Sequence, residues 1–387
     1  MRYEEMGLTE GDFYSRNFEK GARDDTLILN LGPQHPATHG VLRIIVEMDG
    51  EYVIRAEPVI GYLHRMHEKM AEGRQIYQYI PNMGRVDYGH ALGWNWALVG
   101  AVERLAGFEV PERAEYIRVI TTELNRITSH LLWWGAFTLD LGAITPIMYA
   151  FDDREQLLDI LQIATGSRLT HSSLRIGGVC ADINDRFIEA CKAFIPHFRA
   201  RLPMYRDLVT GNIILRKRLE GVGVFDADLL RRYGASGPVV RGSGIAYDIR
   251  KAEKLSVYDR FDWSVAVRSE GDSMARYLVR MDEMEQSLNI VEQALDSLPA
   301  GKVMMPKAPK VTWAVPKGES YFAFEGARGK VGIHLVSDGG KNPYKIKLRS
   351  PCFSNLSLFA EAAQGTLLAD ALAILGSLDL VIPEIDR

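Results

Sequence analysis

The sequence predicts an α+β protein: a large helical bundle forms the core, and a β-rich portion is built from the N-terminal and C-terminal segments. Three observations predict this fold class: a hairpin signal near the start of the chain, helical spacing in its middle, and strand character that returns near 312–349. We expect a β-rich segment at 1–60, a helical core at 61–305, and a second β-rich segment with C-terminal helices at 306–387.

The hairpin signal follows a Gly/Pro-rich loop at 32–40, which itself follows a short predicted strand at 26–30. Two runs rich in β-branched and aliphatic residues, 41–48 and 51–56, flank an Asp-Gly pair at 49–50. Such a pair between two strand-like runs is typical of a tight hairpin turn. The sequence therefore predicts two antiparallel strands directly after the loop.

The middle of the chain has the spacing of amphipathic helices. After Pro111, apolar residues recur every three or four positions as far as Leu131. The same reasoning predicts further helices at 85–106, 147–165, 184–205 and 270–298, and a helical tail at 353–378. Together these segments predict the helical core.

One apolar stretch, 127–151, resembles a membrane span at first sight, because Asp140 is its single acid. Gly135, Gly142 and Pro146 interrupt it, however, and a spanning helix needs about 20 consecutive apolar residues. We expect two buried core segments joined by a bend, and no transmembrane segment. The acidic N-terminus also lacks the apolar run of a signal peptide and the character of a transit peptide.

Composition and missing motifs exclude several classes of function. The net charge of −4 gives no basic excess for a nucleic-acid partner. The three cysteines, Cys180, Cys191 and Cys352, form no CxxC pair, which fits a reducing compartment. Four thiolates for an iron–sulfur cluster are lacking, as are a phosphate-binding loop and a dinucleotide fingerprint. We expect the chain to bind no metal and no flavin, and to receive electrons from a partner.

The loop at 32–40, with the sequence GPQHPATHG, is the most unusual stretch of the chain. Its two prolines fix φ, and its glycines permit turns, so a stiff loop would present His35 and His39 four residues apart. The alternative is an ordinary surface turn with two histidines, since most loops are surface connections.

This loop, continued as GPQHPATHGVLR, resembles the signature loop of the D-subunit family of respiratory complex I, the NADH-quinone oxidoreductases. Further segments resemble family motifs in the same order, from about residue 26 to the end: Gly61–Arg65, Glu68–Lys69, Arg85–Tyr88, Glu123–Ile127, Leu139–Ala143, Arg175–Val179, Ser236–Pro238, Val336–Gly339 and Ile385–Arg387.

The resemblance implies that His39, Tyr88 and Asp140 carry the chemistry. His39 and Tyr88 would bind the quinone head group, where a phenol and an imidazolium each donate a hydrogen bond to developing negative charge. Asp140 would pair with His39; in its apolar stretch we expect it to be buried, which is costly for an unpaired carboxylate. The alternatives are a core-facing helix tyrosine for Tyr88, and a helix cap or solvated turn for Asp140.

Five further residues match family positions near the terminal iron–sulfur cluster, which the neighbouring B subunit carries, or at its interface: His35, Arg65, Arg85, Thr170 and Arg175. The alternative for an exposed arginine is a surface ion pair, such as Arg65 with Glu68. Three positions depart from the family pattern. Met66 and Pro383 stand where relatives usually have glycine or a small residue, and Thr170 stands where many have histidine.

The resemblance implies a quinone-binding subunit of an ion-translocating NADH-quinone oxidoreductase, peripheral on the cytoplasmic face of the cell membrane. It would work with the B, C and I subunits and with the membrane-embedded H subunit. Quinone would be the substrate, and NADH and FMN would bind elsewhere in the complex. The isolated chain would have no activity, and the sequence names neither the electron donor, the quinone nor the pumped ion.

Two competing functions remain. The family is related to the large subunit of nickel–iron hydrogenases, but that enzyme needs two CxxC pairs, and Gly61–Lys69 and Asp379–Arg387 contain no cysteine. The other is a structural subunit of a related redox complex with a different donor and no direct part in the chemistry.

Overall fold

The computed structural model of the chain describes residues 26–33 and 40–387. Helices dominate it, and the strands form small antiparallel sheets, so the predicted α+β class is confirmed. The strands of the described residues are β1 (Leu27–Leu31), β2 (Arg43–Asp49), β3 (Tyr52–Val59), β4 (Leu174–Arg175), β5 (Gly178–Val179), β6 (Gly318–Gly326), β7 (Gly329–Ser337) and β8 (Lys345–Arg349).

The helices follow most of the predicted periodic segments. They are α1 (His67–Glu72), α2 (Ile76–Met83), α3 (Ala91–Ala106), α4 (Glu112–Asp140), α5 (Thr145–Thr165), α6 (Asp185–Tyr205), α7 (Ile213–Leu219), α8 (Ala227–Tyr233), α9 (Pro238–Arg241), α10 (Ile249–Ala252), α11 (Ser273–Asp296), α12 (Pro351–Ser357), α13 (Phe359–Ala363), α14 (Leu368–Ser377) and α15 (Ile382–Asp386), with a π-helical turn at Arg206–Thr210 and a 3₁₀ turn at Tyr258–Arg260.

The first sheet has the order β1-β2-β3, and its hairpin turns at the predicted Asp-Gly pair, with Asp49 opposite Tyr52. The second sheet has the order β6-β7-β8. Each end of the chain thus contributes its own three-stranded sheet. The first packs with the C-terminal helices in a smaller core, and the second packs on the helical bundle in the larger core. The predicted boundaries of the three parts stay predictions.

Helix α4 is the centre of the bundle and packs against α5 and α11. Pro111 precedes its first residue, where a missing N–H costs nothing because the first turn has no partner for it. The helix is buried along most of its length, up to Thr138, and ends at Asp140. Gly142, with φ of 93°, makes the predicted bend before α5.

Two predicted helices differ from the structure. The segment 85–106 becomes helical only at Ala91. The predicted helical tail 353–378 is three helices, α12 to α14. Between α13 and α14, Gln364 is extended and Gly365 has φ of 77°, which breaks the helical path. Among the described helices, none is both long enough and apolar enough to cross a membrane.

Candidate functional site

Tyr88 lies in a turn between α2 and α3 rather than in a helix. The side chain of Asp87 accepts hydrogen bonds from the backbone amides of Gly89 (2.9 Å) and His90 (3.1 Å), which offers these amides an alternative to the helix. This turn delays α3 to Ala91 and turns Tyr88 outward, where 46% of its surface is exposed. The alternative of a helix tyrosine on a core face is therefore wrong.

Behind Tyr88, Asp87 is buried and paired with Arg328. Nη1 of Arg328 lies 3.1 Å and 2.9 Å from the two carboxylate oxygens of Asp87 and donates to Oγ of Ser129 at 3.0 Å. Burial alone would lower the pKa of Arg328, but Asp379 and Asp87 raise it above its usual range. The guanidinium is therefore a fixed positive charge that acts on the neighbouring Tyr88.

Arg328 lies in the tight turn between β6 and β7, and the backbone of this turn packs closely against the loop before α9. Two glycines, one on each side, make this close approach possible. A Cβ at Gly237 would lie 2.4 Å from the carbonyl oxygen of Arg328, and a Cβ at Gly329 would lie 2.7 Å from Oγ of Ser236. Both glycines also have positive φ, so the approach needs glycine at both positions.

Asp379 completes the ionic group, since its Oδ1 lies 3.2 Å from Nη2 of Arg328. Its Oδ2 lies 3.7 Å from Nε of Arg280, and neither of these two buried atoms has a hydrogen-bond partner among the described residues. Asp379 also has φ of 54°, an uncommon value for a residue with a side chain. Arg328 thus pairs with both Asp87 and Asp379, and Arg280 lies near Asp379.

Glu384, on α15, is the third buried carboxyl group here, and its contacts differ from those of the other two. The thiol of Cys352 donates to Oε2 at 3.0 Å, and the hydroxyl of Ser350 donates to Oε1 at 3.2 Å. Burial, followed by the charge of Asp87, raises the pKa of Glu384 to about 8. Burial also raises the pKa of Cys352, and Glu384 adds to this effect. We call Asp87, Arg328, Asp379, Cys352 and Glu384 the buried acidic cluster.

The charged residues of the buried acidic cluster change the pKa of the Tyr88 phenol. Partial burial raises the pKa of Tyr88, Arg328 opposes this, and Asp87 and Asp379 add to it. The phenol therefore keeps its proton at neutral pH and is available as a hydrogen-bond donor. Of the residues predicted for quinone binding, Tyr88 is the one whose geometry the structure describes; His39 and His35 lie outside the described residues.

Asp140 is the last residue of α4 and is exposed. The expectation that it is buried in the apolar stretch is wrong, because the burial of α4 ends at Thr138 and the chain then turns at Gly142. A carboxylate at a helix C-terminus faces the negative end of the helix dipole, so it is stabilised there by a nearby positive group. The pairing of His39 with Asp140 stays a prediction.

A groove of about 420 Å³ begins directly after Asp140. It lies between the α4–α5 turn and the segment that enters α7, and it is lined mainly by apolar side chains: Leu141, Ala143, Ile144, Pro146, Leu208, Val209, Ile214 and Leu215, with Arg218 also in the lining. Ile144, Met148 and Ile213 are largely exposed around it. Such an exposed apolar patch is typical of a surface that a partner or an apolar ligand covers.

The loop at Gly61–Arg65 is held by α15. The carboxylate of Asp386 accepts hydrogen bonds from the amides of Gly61 (2.9 Å) and Leu63 (2.6 Å), and Nδ1 of His64 donates to the carbonyl oxygen of Asp386 at 2.7 Å. The two segments in which hydrogenases carry their cysteines therefore meet in this chain. Within the described residues, no three His, Cys, Asp or Glu side chains converge as a metal-binding group.

Four of the residues proposed to face the cluster, Arg65, Arg85, Thr170 and Arg175, are described; Arg65 lies in the Gly61–Arg65 loop, and Thr170 and Arg175 lie in residues 170–175, which we call the 170s loop. Arg65 and Arg85 are exposed and form no ion pair within residues 26–33 and 40–387. The alternative pairing of Arg65 with Glu68 is wrong, because Glu68 binds Nζ of Lys347 at 3.0 Å instead.

The 170s loop lies close to Arg85. The preceding Gly84 approaches the carbonyl oxygen of His171 so closely that a Cβ would lie 3.2 Å from it. This contact brings the backbone before Arg85 against the loop that carries Thr170. Arg175, in contrast, donates to the carbonyl oxygens of Ser172 and Leu174 and shapes its own loop.

The three departures from the family pattern have local structural correlates. Met66, directly before α1, has φ of 55°, and Thr170 has φ of 48°; glycine adopts such values without strain. Pro383 lies in the first turn of α15, where proline is well accepted. The departure at Met66 therefore places a side chain in strained backbone, the one at Thr170 exchanges one side chain for another in such backbone, and the one at Pro383 lies in unstrained backbone.

Residues 140–314 and 307–387 match the family model described as respiratory-chain NADH dehydrogenase, 49 Kd subunit. The chain is also similar to proteins named as the D subunits of NADH-quinone oxidoreductases. The one from Desulfotalea psychrophila is 60% identical over 364 residues, which are 94% of this chain and 98% of that protein.

The chain belongs to the family of NADH-quinone oxidoreductase D subunits. Two further relatives support this. The D 2 subunit of Opitutus terrae is 58% identical over 366 residues, covering 95% of this chain and 92% of that protein. The D subunit of Geobacillus thermodenitrificans is 50% identical over 364 residues, covering 94% and 99%. The family resemblance inferred from the motifs is confirmed, and a D subunit is part of an oxidoreductase complex.

Sequence reasoning missed most of the buried acidic cluster. Asp379 did carry a signal, since it is a lone acid in the apolar run 378–382, and buried acids need partners. Glu384 carried less, because Asp386 and Arg387 follow it closely. Arg328 carried none, because its partner Asp87 is 241 positions away in the sequence.

Proposed function

We propose that this D subunit forms part of the pocket in which an ion-translocating NADH-quinone oxidoreductase reduces quinone, on the cytoplasmic face of the cell membrane. The observation that carries the proposal is the position of Tyr88. Its phenol is half-exposed, keeps its proton, and lies within the electrostatic influence of the Asp87–Arg328 pair.

In this proposal Tyr88 donates a hydrogen bond to one carbonyl oxygen of the quinone, and His39 donates to the other. Two-electron reduction places negative charge on these oxygens, and a donor in a protein-lined site stabilises that charge as it develops. The fixed positive charge of Arg328, which acts on Tyr88, adds to this stabilisation. Asp140 would hold the His39 imidazole in its charged form.

The apolar groove that begins after Asp140 supports a quinone site that extends toward the membrane. A quinone has an apolar tail, and the groove offers apolar side chains directly after Asp140, the proposed partner of His39. The membrane-embedded H subunit would cover the exposed Ile144, Met148 and Ile213, which leave a large apolar surface uncovered in this chain.

Electrons would arrive from an iron–sulfur cluster in the B subunit, with the C and I subunits as further partners and with NADH and FMN elsewhere in the complex. Arg65 and Arg85 support the position of this interface, since both are exposed cations without an ion pair in the described chain. A positive side chain near a cluster favours its reduced form. His35, Thr170 and Arg175 would line the same interface.

The test is Tyr88→Phe in the assembled complex. Phenylalanine keeps the ring and removes the donor, so the loss of a hydrogen bond to developing charge, about 1.5–3 kcal/mol, should slow quinone reduction by roughly ten-fold to a hundred-fold. Electron entry into the clusters should stay intact. Tyr344→Phe, at an exposed phenol, is the matched control and should leave turnover unchanged. Unchanged turnover of short-tailed quinones by Tyr88→Phe would refute the role of the phenol.

A further inference from the structure

The segment between α11 and β6, residues 297–317, carries Lys302, Lys307, Lys310 and Lys317 and no acidic residue. It contains neither a helix nor a strand, apart from a single β-bridge at Met304. Irregular segments of this length are uncommon within a compact domain, and those that are held in place are usually functional. We call residues 297–317 the lysine loop.

Backbone hydrogen bonds hold the first half of the lysine loop against the bundle. The amide of Val179 donates to the carbonyl oxygen of Val303 at 2.9 Å, and the amide of Met305 donates to that of Gly177 at 2.9 Å. A Cβ at Gly178 would lie 2.1 Å from the carbonyl oxygen of Val303, so this contact needs glycine there. The first half of the loop therefore has a fixed path next to the segment that follows the 170s loop.

The second half of the lysine loop is held in a similar way. The phenol of Tyr77 on α2 donates to the carbonyl oxygen of Pro309 at 2.9 Å. The amide of Val315 donates to the carbonyl oxygen of Gly340, in the β7–β8 connection, at 3.0 Å. The lysines therefore project from a fixed backbone, and little backbone entropy is lost when they meet a partner.

The four lysines are exposed, and none of them forms an ion pair or a side-chain hydrogen bond within the part of the chain that the structure describes. Lysines of the nearby strand β8 differ in this respect. Nζ of Lys345 binds Glu72 at 2.8 Å, and Nζ of Lys347 binds Glu68 at 3.0 Å. The chain thus neutralises the lysines of β8 with its own acids and leaves a local positive surface at the lysine loop, although its net charge is −4.

An apolar side chain lies among these lysines. Val311 directly follows Lys310 and is 55% exposed. An apolar contact with charged side chains around it is the arrangement of a protein interface, which has an apolar centre and a polar rim. Lysines at such a rim attract and orient a partner of opposite charge.

We propose that the lysine loop docks on an acidic surface of a neighbouring protein subunit of the oxidoreductase complex. A D subunit is part of such a complex, and the loop supplies the positive charge, the exposed apolar contact and the fixed backbone that this docking needs. The inference goes beyond the proposed function, because it uses neither Tyr88 nor quinone.

The position of the loop favours a protein partner over the membrane. Nη1 of Arg113, at the start of α4, donates to the carbonyl oxygen of Pro299 at 2.8 Å. The apolar groove that we propose to face the membrane begins after Asp140, at the other end of the same helix. Since a helix rises about 1.5 Å per residue, the start of the loop and this groove lie roughly 40 Å apart along α4. The two surfaces therefore meet different partners.

The first experiment is cross-linking of the assembled complex with a water-soluble carbodiimide, which joins a lysine amine to a carboxylate when the two are in contact. Peptide mass spectrometry should find a lysine of the loop joined to an Asp or Glu of another subunit. Lys192, whose Nζ lies 3.6 Å from Asp296, is the internal control and should cross-link within this chain.

The proposal is overturned if the control link forms and no lysine of the loop is joined to another subunit. Anionic lipid would then be the occupant if amine labelling of the loop increases when detergent replaces the lipid. Equal labelling with and without lipid would instead identify the loop as a solvated surface.

The second experiment reverses the charge of the loop. Lys307→Glu together with Lys310→Glu places acids opposite acids, so hydrogen exchange in the cross-linked partner segment should become at least about two-fold faster. Lys307→Arg together with Lys310→Arg keeps the charge and should leave exchange unchanged. Lys192→Glu together with Lys254→Glu makes the same change in charge at exposed sites outside the loop and is the matched control.

Equal exchange in the Glu variant and the wild type would overturn the proposal. If the Glu variant does not assemble, Lys307→Gln together with Lys310→Gln provides the same comparison, with a smaller expected increase because the charge is removed rather than reversed. Equal exchange in this variant and the wild type would overturn the proposal in the same way.

Discussion

The carboxylate of Asp386 accepts a hydrogen bond from the amide of Leu63 at 2.6 Å, across 323 positions of sequence. A second bond, from the amide of Gly61, uses the other carboxylate oxygen at 2.9 Å. Together they fix the loop that carries His64 and Arg65. The exposed surface around Arg65 therefore depends on a single side chain of α15.

Replacing Asp386 with alanine should release this loop. Each bond from a backbone amide to a carboxylate is worth about 1.5–3 kcal/mol, so the free energy of unfolding should fall by about that amount or more. Hydrogen exchange should become faster at the amides of Gly61 and Leu63. Asp228→Ala, which removes a carboxylate that is exposed beside Arg231, is the control and should cost less than about 0.5 kcal/mol. Unchanged exchange at both amides in Asp386→Ala would contradict the prediction.

His39 and Asp140 should act as a unit in quinone reduction. If they pair, Asp140→Asn removes the charge that holds the imidazole protonated, and His39→Ala removes the cation that stabilises a carboxylate at the end of α4. The double variant should then be no slower than the poorer single variant. The measurement is a double-mutant cycle on the quinone reductase rate of the assembled complex.

The control for this cycle pairs His39→Ala with Asp152→Asn, a carboxylate on α5 that binds Arg201 at 2.7 Å. Those two changes should add within about 0.5 kcal/mol. If the effects of the His39 and Asp140 changes were also additive, the two residues would not act as a unit, and Asp140 would have only a structural role at the end of α4.

Glu123 should be one of the most costly residues to truncate. It is fully buried and binds Arg126 (3.0 Å), Arg250 (3.1 Å), Tyr258 (2.6 Å) and Ser287 (2.7 Å). Glu123→Ala leaves two buried guanidinium groups without their shared carboxylate, so the free energy of unfolding should fall by about 3–5 kcal/mol. Denaturant unfolding of the whole chain measures this.

The control at an exposed carboxyl is Glu189→Ala, which should change stability by less than about 0.5 kcal/mol. Glu123→Gln should lie between the two, because the amide oxygen can still accept a hydrogen bond from one of the two hydroxyl groups, Tyr258 or Ser287, but the charge is lost. If Glu123→Ala were as mild as Glu189→Ala, the buried ion pairs would contribute nothing to stability.

His130 should make stability depend on pH near neutrality. It is fully buried, and burial lowers its pKa despite the hydrogen bond to Glu283 at 3.0 Å. Its folded pKa therefore lies below the unfolded value of about 6.5, so the stabilisation is present above that pH and is lost as the pH falls. The free energy of unfolding should drop by up to about 1.4 kcal/mol per pH unit through this group, and His130→Gln should remove that part of the slope. Equal slopes in both proteins would contradict the prediction.

Met66→Gly should stabilise the chain slightly. The left-handed backbone at Met66 costs a residue with a side chain about 1–2 kcal/mol, and more than half of this side chain is exposed, so little burial is lost. Glycine gains entropy in the unfolded chain, about 0.4–1 kcal/mol, so the net gain should be about 0.5 kcal/mol. Lys69→Gly, an exposed position within α1, should instead cost about 0.5–1 kcal/mol. A loss of stability in Met66→Gly would show that the Met66 side chain packs favourably.

The sequence predicted the elements whose signal is local. The Asp-Gly hairpin and helix α4 after Pro111 follow from periodicity and turn chemistry, and both are confirmed. The late start of α3 was not predictable, because it depends on the side chain of Asp87 capturing two amides. Asp140 fits the alternative of a solvated turn rather than the expected burial, because composition placed it among apolar residues but the helix ends there.

Candidate site residues divide in the same way. Tyr88 was identified through its motif. The Asp87–Arg328 pair beside it was not predicted, since the two residues are 241 positions apart in the sequence. Long-range pairs of this kind depend on how two glycines let backbones approach, as Gly237 and Gly329 do. The residue pattern within a single segment cannot predict such a contact.

The hydrogen bonds between Asp386 and the loop at Gly61–Leu63 also bear on the order in which parts of the chain fold. Their partners are separated by 325 and 323 positions, and contacts between such distant segments form slowly because a long loop must close first. The hairpin of β2 and β3, whose partners are neighbours in sequence, can form early. The surface that carries His64 and Arg65 should therefore mature among the last parts of the chain, which would delay the docking of any partner there until folding is nearly complete.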